Sequence, residues 1–292
     1  MSDFSSDLER MYSPLLNLWQ KEQDTNIIAI ETANILASFS LHESFHEEEL
    51  INEVLRTGLK SHYPAGSFSD FNCLLKENNF FRMELYFWDK LDTGIHSHPF
   101  YGAFQCLKGA VVVQDYSFKP TNVFTGAREI AFGELSLKGT KRMDAGDVYS
   151  ISSGTDHIHK TLHLRPTVNL CIRSSSDPSV PNYNFLSPDF RIEKRNLSPE
   201  EEKILELFNY LSEKSAQAEL LLEVLAQFDL NTLVFLFLSG PKLLNRLMSD
   251  KAALLFKDEC KKKILEHEIF SKVFNSLDSN QVLMSKLNFA FK

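Results

Sequence analysis

The sequence predicts a mainly β fold, a sandwich or barrel of short strands, with helical segments before and after it. Three observations predict this. Residues from about 71 to 175 read as short β-rich runs bounded by Gly, Pro and Asp. Residues 1–60 place apolar side chains at three- and four-residue spacing, and the chain becomes Leu-rich with that spacing again after 197. The expected organisation is an N-terminal helical arm over 1–60, a β-barrel over 61–190 and a C-terminal helical domain over 195–292.

Each element has its own signal. "LLNLWQKE", "NIIAIETANILASFSL" and "EEELINEVLRTGLK" carry the helical spacing of the arm, and "SHYPAGSFSD" is a turn-rich break after it. "FFRMELYFWDK" alternates, with Phe81, Met83, Leu85 and Phe87 on one face and Arg82, Glu84, Tyr86 and Trp88 on the other. "GAVVVQDYSF", "GDVYSISS" and "PTVNLCIR" continue the strand texture, and 174–190 is an irregular edge segment or linker. The C-terminal helices begin at "LSPEEEKILELF", where Ser198 is the N-cap, Pro199 takes the first helical position and glutamates fill the first turn.

Composition narrows the partners. A net charge of −8 with no basic run argues against nucleic acid and anionic membranes. The longest apolar run, "LNTLVFLFLSG", is about half the ~20 residues a bilayer span requires. The acidic N-terminus lacks the pattern of a signal peptide, and four scattered cysteines form no disulfide framework, so a cytoplasmic setting is expected.

The chemistry concentrates in "GIHSHPFYGAFQCLKG". On a strand His96 and His98 share a face, which places two imidazoles as a chelating pair. A third ligand is expected on another strand. "MDAGDVYSISSGTDHIHKTLHL" offers it, with Gly146 opening a strand, Gly154 making the next turn and His157 following. His159 and His163 share the alternation of His157 and are expected behind the ligands or as ordinary strand residues.

At these residues the chain resembles the cupin superfamily. Its first motif matches His96, His98 and Gly109, and its second matches Gly146, Gly154 and His157, with Ser152 in place of the usual proline. The resemblance implies a cupin β-barrel, a double-stranded β-helix, holding a metal on His96, His98 and His157. The acid of the first motif would stand at Gly102. Three histidines without a carboxylate resemble the thiol dioxygenases, the cysteine dioxygenase group, as does a tyrosine eight residues before His157. The relay residues of that group fall on Asn169, Cys171 and Arg173, and none is kept.

The resemblance therefore implies a non-haem Fe(II) dioxygenase that uses O2 to oxidise a small cysteine-like thiol to a sulfinate, with Zn, Ni or Mn as alternative metals. Imidazole suits all of these, and three neutral ligands leave the full charge of the ion to attract an anionic donor. Arg173, and secondly Arg82, are the expected contacts for a substrate carboxylate. The alternatives are a non-redox metal cupin (an isomerase or lyase) and a ligand-sensing scaffold that engages a protein partner or a second copy through its C-terminal helices. Tyr101, Phe104 and Trp88 are candidate pocket aromatics. The HExxH pattern at His42, Glu43 and His46 runs straight into Glu47, Glu48 and Glu49 and is expected to be a solvated helix rather than a zinc site.

Overall fold

The computed structural model describes residues 3–51, 69–89, 92–186, 190–193, 197–213, 218–238, 244 and 248–267. Its elements are mainly antiparallel strands with helices before and after them in the chain. They fall into two units. The first unit is Met1–Phe118 with Ser136–Asn182; the second is Lys119–Leu135 with Tyr183–Lys292.

The first unit opens with α1 (Asp3–Lys21), α2 (Thr25–Ala37) and the short α3 (Leu41–Ser44). It continues through β1 (Phe71–Glu77), β2 (Arg82–Trp88), β3 (Ile95–His98), β4 (Gly102–Phe124), β5 (Ile130–Asp144), β6 (Val148–Ile151) and β7 (Gly154–Arg173). The tip of the β4–β5 pair, 119–135, belongs to the second unit. β7 is the axis of the first unit. β2 and β3 pair with its two halves along one edge, and β4 pairs with it along the other, all antiparallel.

Alternation along β2 sorts its side chains as the sequence predicts. Phe81, Met83 and Leu85 join Val168, Leu170 and Ile172 of β7 and the buried faces of α1 and α2, including Met11, Leu15, Trp19 and Leu36. Tyr86 and Trp88 point the other way, into a second cluster with Phe104, Val111, Ile151 and Cys171. The helical arm is therefore not a separate domain. Its apolar stripe is the cover of one face of the strands, because an amphipathic helix has to bury that stripe somewhere. Trp19 makes the contact in detail, stacked on Tyr101 at 5.2 Å and donating its indole N–H to Thr32.

The second unit adds β8 (Tyr183–Leu186), β9 (Phe190–Glu193), α4 (Pro199–Glu213), α5 (Ala218–Leu225), α6 (Leu230–Leu238) and α7 (Asp250–Leu265). Ser198 caps α4 as expected. Its hydroxyl accepts from the Glu201 N–H, and the Glu201 carboxylate accepts the Ser198 N–H. The same carboxylate receives the fully buried Arg128 guanidinium at 3.1 Å, and Arg128 lies 4.1 Å from the centre of the Phe235 ring. Ile130 and Phe132 of β5 pair with Ile192 and Phe190 of β9 and share one core with Leu205, Phe208, Leu225 and Phe256 of the helices. A C-terminal helical domain starting at 195 would lack that strand layer.

Candidate metal centre

β3 is a four-residue strand, and its alternation turns His96 and His98 to one side, their ring centres 4.5 Å apart. The imidazole that joins them is His159, not the expected His157. The nitrogens of His96, His98 and His159 lie within 4.8 Å of one another, and all three residues are buried. His98 Nε2 stands 3.0 Å from His159 Nε2.

The exchange of 157 for 159 is a matter of register. β3 and β7 pair His96 with His159, and a regular antiparallel ladder would then set His98 opposite residue 157. The ladder instead shifts, and His98 faces Gly154. Gly154 adopts φ 70°, which favours glycine, and the shift leaves His157 without a pairing partner on β3. From there His157 Nε2 approaches His159 Nδ1 at 3.1 Å.

The hydrogen bonds fit a metal. His96 Nδ1 lies 2.8 Å from the Gly94 carbonyl, which can only accept, so this nitrogen carries the proton and Nε2 carries the lone pair. His159 is arranged alike when Nδ1 donates to His157, leaving its Nε2 for coordination. Two ligands about 2.1 Å from one ion and about 90° apart stand about 3.0 Å from each other, the separation found between His98 and His159. Burial, reinforced by the neighbouring imidazoles, holds His98 and His159 well below the usual histidine range, so both rings are neutral and ready to ligate.

No carboxylate joins the three histidines among the described residues. Gly102 explains the missing acid. A Cβ there would stand 2.0 Å from the Ile172 carbonyl oxygen, so any larger residue, aspartate or glutamate included, would require β4 and β7 to separate.

Beside the histidines lies a small, partly open cavity bounded by Trp88, Phe100, Phe104, Ile151, Thr93 and Thr161, with Tyr86, His163, Asn169 and Cys171 also on its wall. Of the expected pocket aromatics, Trp88 and Phe104 line it; Tyr101 packs instead on Trp19. Asn169 and Cys171, at two of the positions where a relay was sought, face the cavity. Burial pushes the Cys171 thiol up to about 12, so it is no ready nucleophile.

Arg173 and Arg82, expected to meet a substrate carboxylate, are already matched by protein acids. Arg173 Nε donates to Glu84 Oε2 at 2.7 Å and to the Tyr86 hydroxyl at 3.3 Å, and Tyr86 donates to Glu84 at 2.6 Å. Arg82 pairs with Glu77 at 3.0 Å and approaches the second Glu84 oxygen at 3.5 Å. Cross-strand pairing of β2 and β7 sets Arg82 opposite Arg173 and Glu84 opposite Cys171, so one fully buried carboxylate serves two arginines. Neither arginine lines the cavity. Glu84 and Tyr86 were legible only as members of the polar face of β2, and their pairing partner was not.

The HExxH pattern forms no site. α3 ends at Ser44, and Phe45 is extended at φ −82°, ψ 115°, so His42 and His46 do not share one helix. The His42 ring packs on Gly146. The four cysteines are free and buried, and no helix among the described residues is long and apolar enough to cross a membrane.

No protein-family model matches the sequence, and no curated protein matches it. Solved structures do. A cupin-2 domain protein from Shewanella frigidimarina is similar at 13% identity over 43% of this chain and 92% of that one, with a TM-score of 0.27. A double-stranded β-helix protein of uncharacterised role from Klebsiella pneumoniae is similar at 10% identity over 47% of this chain and 96% of that one, TM-score 0.27. A DMSP lyase from Ruegeria pomeroyi is similar at 16% identity over 43% of this chain and 57% of that one, TM-score 0.26. At such identities and scores these likenesses carry nothing about chemistry.

Proposed function

We propose that this chain is a metal-dependent enzyme of cupin type, a non-haem Fe(II) dioxygenase that takes a small thiol and O2 to a sulfinate. The observation that supports it is the set of three buried, neutral histidines, His96, His98 and His159, with no carboxylate among them and an aromatic cavity alongside. A ferrous ion held there would supply Lewis acidity, open positions and one-electron chemistry towards O2. Its undiminished charge favours an anionic donor such as a thiolate. In the balanced reaction one thiol and one O2 give one sulfinic acid, both oxygen atoms ending on sulfur.

The chain's own residues bind and shelter. Trp88, Phe100 and Phe104 exclude water from the donor's side. Gly94 and His157 hold the rings of His96 and His159 in the ligating tautomer. The Tyr86 hydroxyl, on the cavity wall, keeps its proton because burial, above all, holds its pKa well above the usual tyrosine value. The deciding experiment is an oxygen-electrode screen of Fe(II)-loaded protein with a panel of small thiols. Thiol-dependent uptake with a sulfinate containing two labelled oxygens is expected from ¹⁸O2; a panel giving no uptake in iron-replete protein sinks the dioxygenase reading.

One observation favours a second reading, an isomerase or lyase. Tyr86 joins the cavity to Glu84 and Arg173 through a chain of hydrogen bonds, an arrangement able to move a proton to or from a bound carbon acid. Solvent-deuterium incorporation into a ligand without O2 consumption would select it.

A further inference from the structure

The cavity has a composition unlike that expected for cysteine or a mercapto acid. Among the described residues, no lysine, arginine, aspartate or glutamate lines it. Arg173, behind Phe100, is bonded to Glu84 and to the Ser174 carbonyl, and its guanidinium lies 4.8 Å from the centre of the Phe100 ring. Phe100, not Arg173, forms the wall. A carboxylate placed here would lose its water and meet no partner of opposite charge among the described lining residues.

The polar groups that do reach the cavity are neutral and available. Asn169 is 6% exposed, and its buried amide oxygen makes no hydrogen bond. His163, stacked on Trp88 at 4.7 Å, has two buried ring nitrogens, neither of which makes a hydrogen bond. A buried amide without a partner is costly unless something bound supplies one. Asn169 stands opposite Tyr86 across the β2–β7 ladder and opposite Cys106 across β4–β7, so its place on the wall is set by three strands rather than by a loop.

We infer that the cavity receives an uncharged tail of the substrate, apolar or aromatic and carrying a hydrogen-bond donor such as an amide or hydroxyl, which Asn169 and His163 read between Trp88, Phe100 and Phe104. This rests on the proposed metal reading only for the other end of the molecule, the anionic donor beside His98 and His159. Substrates that are free amino acids or mercapto acids are disfavoured, and a thiol whose acid is masked as an amide is favoured.

The test is calorimetric and uses pairs differing only in charge. Full-length protein, loaded with Ni(II) in one series and metal-free in another, is titrated with 3-mercaptopropionamide against 3-mercaptopropionate and with phenylacetamide against phenylacetate. In the metal-free series the amide of each pair should bind at least tenfold more tightly, since the tail does not need the ion; the Ni(II) series, in which a carboxylate can itself ligate, reads whether the thiol end needs the metal. Asn169→Leu should weaken binding of both amides about tenfold, because it removes the acceptor their N–H needs. Should that variant not fold, Asn169→Asp keeps the shape and should reverse the preference towards the cationic thiol cysteamine. Equal or tighter binding of the acids by the metal-free protein would overturn the inference while leaving the metal reading intact. A protein that retains no Ni(II) yet still prefers phenylacetamide would overturn the metal reading and leave this one standing.

Discussion

Replacing His159 by alanine should strip the metal, whereas replacing His157 should only weaken its hold. The two differ by position alone: His159 Nε2 stands 3.0 Å from His98 Nε2, while His157 reaches no further than His159 Nδ1 at 3.1 Å. Four-ligand zinc sites bind with about 10–16 kcal/mol, or about 2.5–4 kcal/mol per ligand. At about 1.4 kcal/mol per tenfold, losing one of three histidines weakens binding about 10²–10³-fold. His157 acts by orienting a ligand, and loss of such a partner weakens affinity about 10–100-fold. Metal content after dialysis against a weak chelator, with Kd from a competing indicator, reads both. The order should be wild type, then His157→Ala, then His159→Ala and His96→Ala together at the bottom. Melting should follow it, because bound metal at about 100 times Kd adds about 2.7 kcal/mol to the folded state. A His157→Ala protein without metal beside a His159→Ala protein that keeps it would refute the assignment, and the β3–β7 register on which it stands.

Two further outcomes concern stability. Burial lowers the His163 imidazole to about 4, whereas the unfolded ring takes a proton near its ordinary value of 6.5. Between those values the unfolded state binds the additional proton, so stability falls as pH falls from about 6.5 to 4, by up to about 3 kcal/mol from this ring. Urea melts across that window should show a shallower loss in His163→Gln; an unchanged slope would remove His163 as the cause. In the second unit, Arg128→Ala leaves Glu201 without its buried partner and should cost about 3–5 kcal/mol. Residues 195–292 expressed alone should give no cooperative melt, since Arg128, Ile130 and Phe132 lie outside them; a sharp transition in that fragment would show that the helices suffice.

Much of the local pattern was legible in the chain. The period-two texture of 81–88 sorted the two faces of β2 correctly, because a strand alternates whatever it pairs with. His96 and His98 announced a chelating pair for the same reason. Ser198 announced the start of α4 through the capping box it forms with Glu201. The segment of His42 and His46 was legible as helix only in part, because the chain leaves the helix at Phe45.

What the tertiary structure decided were relations between segments distant in sequence. His157 and His159 lie on the same side of β7 by alternation, and it is the pairing of His96 with His159 that puts the latter in the site, while the shift beyond it takes His98 away from a partner at 157. Arg173 reads as an available cation until β2 places Glu84 beside it. Gly102 reads as a missing ligand until β7 shows that its backbone leaves no room for a side chain. The helical arm reads as an appendage until its stripe is seen covering the strands. Periodicity and capping depend on bonds within a few residues, so the sequence by itself determined them. Register, charge pairing and unit boundaries depend on which strand lies next to which, and that is settled only when burial, strand pairing and side-chain packing are satisfied together.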